Sequence, residues 1–151
     1  MKRTTAREIA MHLSYASVMN PLPMEEQLEL LLEPEHYASL AGEDEAYAEE
    51  ADRKQLAYIR RVALGVAEHG PELDAYIEKY AQNWRFERIS RVCAAILRTA
   101  MYEILYLPEV PCKVAANEAV ELTKLYEDKP AAAFVNGILA SFIREEKGEE
   151  V

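Results

Sequence analysis

The sequence predicts an all-α protein, a compact bundle of about seven helices. Three observations carry this. The 151 residues include only five glycines. The prolines fall at 21, 23, 34, 71, 108, 111 and 130, between stretches whose apolar residues recur with a period near 3.6. No run of useful length shows strand alternation, and no internal repeat is present.

Helices are expected at about 4–19, 24–32, 44–68, 71–82, 87–106, 111–127 and 131–146. The first puts Ala6, Ile9, Ala10, Leu13 and Ser17 on its inner face, and Arg3, Arg7, Met11 and Tyr15 follow an i, i+4 row read as the outside. Pro23, Pro71, Pro111 and Pro130 suit a first helical turn, where the missing N–H has no intrahelical partner anyway. Residues 33–52 are acidic and alanine-rich, and Pro34 and Gly42 break any long helix there. They read as a solvated loop leading to a helix capped by Asp44. The fifth helix carries Ile89, Val92, Cys93, Ile96, Leu97, Ala100, Met101, Ile104 and Leu105 around most of its circumference, the pattern of a central helix wrapped by its neighbours. The last helix repeats Phe134, Val135, Ile138, Leu139 and Phe142. Gly137 within it costs about 1 kcal/mol against alanine, which close packing on another backbone would explain.

One domain spanning 1–151 fits this length. Half the residues are apolar and 29% are charged, and no apolar run approaches the roughly 18 residues of a membrane span. The N-terminal MKRTTAREIAMHL returns to charge at Arg7 and Glu8 before a signal-peptide core can form, so a cytosolic location without membrane contact is expected. Cys93 and Cys112 form no CxxC and read as packing thiols. The net charge of −10 comes mostly from one segment: residues 21–52 hold eleven acids and no Lys or Arg. The first 20 residues hold three cations against one acid, and Arg85, Arg88, Arg91 and Arg98 cluster further on, so two local positive surfaces are compatible with the acidic whole.

Motifs for catalysis are missing: there is no HExxH, GxSxG, Walker loop or GxGxxG. His12, His36 and His69 lie in separate segments without ligand spacing, so no metal, no cofactor and no catalytic residue is expected. Glu118 falls in the stripe Ala115, Glu118, Leu122, Leu125, where a carboxylate needs a partner. Arg98 on the central helix is the natural one, as a structural ion pair. Along helix one the cations offer phosphate contacts, and Tyr15 offers a ring on which an unpaired base can stack.

Three segments carry a more specific signal. They are AREIAMHLSYA at 6–16, ILRTAMYEIL at 96–105 continued by VPCKVAANEAVELTK at 110–124, and FVNGIL at 134–139. In wording, order and spacing they resemble the bacterial NusB family of transcription antitermination factors, from near the first residue to about 144. The resemblance implies two packed helical subdomains and a non-enzymatic scaffold. It further implies binding of boxA-type single-stranded RNA together with NusE, a small-subunit ribosomal protein, in an antitermination complex with RNA polymerase. The positions matching the family's RNA face are Lys2, Arg3, Arg7, Tyr15, Lys113 and Phe134. Those matching the NusE-facing side are Arg91, Cys93 and Glu103.

Some positions depart from the family pattern. Thr4 and Thr5 stand where a denser arginine run is common, Pro130 to Ala133 replace a lysine and polar residues, and Cys93 replaces an acid. Low intrinsic RNA affinity and a shifted NusE contact follow as expectations. A protein-interaction module of the same fold, or a homodimer burying the RNA face, is the competing reading. An RNA-modifying enzyme is a remote one, since similar domains precede methyltransferase domains but this chain carries no cofactor-binding Gly-rich loop.

Overall fold

The computed structural model describes residues 1–81 and 89–150. Among them every regular element is helical. The predicted start of the fifth helix at 87 and the cations Arg85 and Arg88 lie outside the described residues. The chain divides into two compact units, Met1–Glu68 and His69–Val151.

The first unit contains α1 (Arg3–Ser17), α2 (Met24–Leu31), α3 (Pro34–Leu40), a 3₁₀ turn (Glu45–Tyr47) and α4 (Arg53–Glu68). Its core is α1 laid on α4, with α2 against both. Ala6, Ile9, Ala10 and Leu13 are buried as the period requires, and Ile59, Val62 and Ala63 of the facing helix α4 are fully inside. Pro23 occupies the N-cap of α2, and Glu25 and Glu26 in its first turn complement the helix dipole. Glu25 also pairs with Arg60 of α4.

Residues 33–52 are more ordered than their composition suggests. Glu33 caps α3 by accepting from the His36 N–H at 2.8 Å, and Pro34 begins that helix instead of breaking one. The buried Tyr37 donates its hydroxyl to the Glu49 carbonyl at 2.8 Å. The expected helix over 44–68 is two elements. Asp44 caps only the 3₁₀ turn, through the Ala46 N–H at 2.9 Å, and Asp52 caps α4 through the Gln55 N–H at 3.1 Å. Two acids with the same capping chemistry eight residues apart look alike in sequence.

The second unit contains α5 (Gly70–Tyr80), α6 (Arg91–Tyr106), α7 (Cys112–Tyr126) and α8 (Lys129–Lys147). Here α6 is the predicted central helix: it packs against α5, α7 and α8, and Ala95, Ile96, Leu97 and Met101 are at most 1% exposed. Ser90 caps it, accepting from the Cys93 N–H at 3.1 Å. Helices α7 and α8 form a hairpin whose second arm is capped by Asp128 and begins with Lys129 and Pro130. Gly148 ends α8 with φ 66°, a left-handed conformation that glycine adopts without Cβ strain.

Two expectations for this unit are corrected. A Cβ built on Gly137 meets nothing within 4 Å, and the residue is exposed, so backbone packing does not explain that glycine. The buried face of α7 runs through Ala115, Ala116, Ala119, Leu122 and Thr123. Glu118 lies on its flank, half-buried, and Leu125 is 70% exposed.

Candidate nucleic-acid interface

On α1 the row Arg3, Arg7, Met11, Tyr15 does not stay outside. Each i, i+4 step turns the helix by about 40°, so Tyr15 sits about 120° round from Arg3. The N-terminal part of the row therefore faces α4 and only its end reaches solvent. Arg3 is half-buried, donates from Nε to Gln55 Oε1 at 2.7 Å, and holds its guanidinium carbon 4.2 Å from the centre of the Tyr58 ring. Arg7 is 3% exposed and lies over the same ring at 5.7 Å. Cation–π contact with a desolvated ring is worth about 2 kcal/mol, so these arginines join α1 to α4. Of the three cations in the first 20 residues only Lys2 is exposed, and Tyr15 is 43% exposed.

In the second unit Lys113 is exposed in the first turn of α7 and Phe134 is half-buried on α8. The first turn of α7 contains no acid, so the positive end of its dipole and the Lys113 ammonium act together. In the antiparallel hairpin the two residues are offset by about 12 Å along the helix axes at 1.5 Å per residue.

The partner-facing assignments change more. Arg91 is exposed. Cys93 is 4% exposed, and burial pushes its thiol up from 9.0. Glu103 is 0% exposed. Side chains enclosed by their own helix bundle present nothing to a partner, so Cys93 and Glu103 are core residues. Their partner-facing assignment rests on matching family positions and not on the helical period, which puts Cys93 on the packed circumference of α6, where its burial agrees with a packing thiol.

For Arg98 the structure supplies an acid that sequence reasoning missed. Its Nε lies 2.5 Å from Asp74 Oδ1, a bond that joins α6 to α5. Asp74 and Arg98 are 24 residues apart on separate helices, and no periodicity signals such a pair. Among the described residues no helix is long and apolar enough to cross a membrane.

The family profile described as "NusB family" matches residues 4–144. The chain belongs to the NusB family. It is 33% identical to the Transcription antitermination protein NusB of Clostridium botulinum, over 95% of this chain and all of that protein. It is 40% identical to the protein of the same name from Ruminiclostridium cellulolyticum, covering 93% of this chain and 87% of the relative. The solved structure of T. maritima NusB superposes with a TM-score of 0.77 at 29% identity, covering 96% of this chain and 92% of the other. NusB membership thus extends across both units, including α1 and the α7–α8 hairpin that carry the remaining surface candidates.

Proposed function

We propose that the chain is a non-enzymatic transcription antitermination factor of the cytoplasm. It binds boxA-type single-stranded RNA jointly with NusE and helps RNA polymerase continue elongating. The observation that carries this reading is the near full-length likeness to proteins named for antitermination. The surface supports it in a reduced form: Lys2 and Lys113 offer phosphate contacts, and Tyr15 and Phe134 offer rings for stacking.

So few cations make for weak binding by this chain alone. Intrinsic affinity is expected in the micromolar range or below, where 1 μM corresponds to about −8.2 kcal/mol. NusE then supplies the missing contacts. Fluorescence titration of a boxA-like RNA tests this, with NusE expected to tighten RNA binding about tenfold or more. Thermodynamic reciprocity requires RNA to tighten the NusE contact by the same factor. RNA affinity indifferent to NusE overturns the joint reading. It then favours an RNA-independent interaction module or homodimer, which has one observation of its own: Arg3 and Arg7 are engaged inside the first unit instead of facing RNA.

A further inference from the structure

Glu8 and His12 stand one helical turn apart on α1, and this spacing brings both side chains to one face. His12 Nε2 lies 3.8 Å from Glu8 Oε2. Asp44 reaches the same place from the start of the 3₁₀ turn. One potential ligand atom from each of the three lies within 4.8 Å of the other two, and all three residues are half-buried. We propose that Glu8, His12 and Asp44 form a binding site for a divalent first-row transition ion, with Zn²⁺ the best-suited occupant. The site goes beyond the RNA reading and shares no residue with it.

The donor set selects the ion. Two carboxylates match the charge of a dication, and one imidazole nitrogen discriminates against Mg²⁺ and Ca²⁺, which favour oxygen throughout. Zn²⁺ bonds of about 2.0–2.1 Å in a tetrahedron set neighbouring ligand atoms roughly 3.3 Å apart. Zn²⁺ binding at this place requires the observed spread to close to that value by side-chain rotation, with the fourth position left to water.

Two of the three ligands are also held from behind. His12 Nδ1 lies 2.8 Å from the Tyr47 hydroxyl. When Nε2 takes the metal, Nδ1–H donates to that oxygen, and this outer contact fixes both ring orientation and tautomer. Asp44 caps the 3₁₀ turn with one oxygen, through the Ala46 N–H, and a carboxylate has a second to give. The imidazole faces Glu8 on its own helix and Asp44 and Tyr47 on the adjoining turn. A bound ion ties α1 to the 3₁₀ turn within the first unit.

The experiment is calorimetric titration of chelator-treated, tag-free full-length protein with Zn²⁺, Mg²⁺ and Ca²⁺ chlorides. We expect saturable binding of one Zn²⁺ per chain, a higher unfolding temperature with Zn²⁺, and no saturable binding of the other two ions. Glu8→Gln, His12→Gln and Asp44→Asn each weaken Zn²⁺ binding by about tenfold or more, and Tyr47→Phe by roughly tenfold through the lost outer contact. Asp44→Asn keeps an amide oxygen for the cap, so it is the decisive variant if another one misfolds. Cys112→Ser leaves Zn²⁺ affinity unchanged. No saturable Zn²⁺ binding by the wild type overturns the site. So does undiminished binding by an Asp44→Asn protein whose metal-free melting matches the wild type.

Discussion

Arg7 looks in sequence like a member of a solvated basic row, and in the fold it is an interior cation stacked over Tyr58. The consequence is a separation of roles along α1. Arg7→Glu places a carboxylate where an enclosed guanidinium lay on an aromatic face, and destabilisation by about 3 kcal/mol or more is expected in urea denaturation. Lys2→Glu alters an exposed residue, and its stability should stay within about 0.5 kcal/mol of wild type while RNA affinity falls. Equal stability of the two variants would return Arg7 to the surface. At this scale the sequence reveals residue chemistry and misses direction: the 3.6 period shows that Ile9 and Leu13 face inward, but an arginine paired with a buried tyrosine 51 positions later leaves no local pattern. For Cys93 the residue reading as a packing thiol agrees with its burial, and what fails for Cys93 and Glu103 is the transfer of a partner-facing role from matching family positions.

Elements were legible wherever amphipathic period and punctuation agreed. Helix α6 as the central helix, the hairpin of α7 and α8, and the prolines opening α5 and α8 all follow from them. The segment 33–52 was not, because α3 has seven residues and the 3₁₀ turn three, too few for a period to be read. Their order comes from caps and from Tyr37 and Tyr47, which meet edge to face at 5.5 Å. Gly137 gives the clearest prediction for an element. It lies inside α8, exposed, with nothing near the place of a Cβ. Gly137→Ala should therefore stabilise the protein by about 0.5–1 kcal/mol, read from chemical denaturation. A destabilised variant would show that the glycine is needed for close approach after all.

The link between α5 and α8 adds a pH dependence. Glu146 accepts from the Tyr80 hydroxyl and lies 3.0 Å from Lys79 Nζ. First the Tyr80 bond and then the Lys79 bond hold its carboxyl below the ordinary 4.5. The unfolded chain thus binds this proton more readily than the folded one. The contribution is complete above about 4.5 and is lost as pH falls through the lower folded value. Stability measured across this range should show wild type ahead of Glu146→Gln at neutral pH, with the gap narrowing in acid. A constant gap would exclude the carboxylate bonds as its source.

For the whole molecule the governing quantity is where its charge can act. The net charge of −10 repels RNA, and the family likeness does not restore the arginines that face inward or put polar side chains at Pro130 to Ala133 before Phe134. Lys2 and Lys113 remain as exposed candidates for phosphate. Single-stranded RNA releases about 0.7 counterion per phosphate contact, so two contacts give a slope of log K against log salt of roughly −1.4. We expect that shallow slope for this chain alone and a steeper one for its complex with NusE, because added contacts bring added counterion release. Lys113→Ala should reduce the magnitude of the slope by about 0.7. A slope near zero would mean that stacking on Tyr15 and Phe134 holds whatever RNA is bound. A slope several times larger would mean that cations outside this pair reach the phosphates, and the basic cluster of the second unit, where Arg91 is exposed at the start of α6, is where they would be sought.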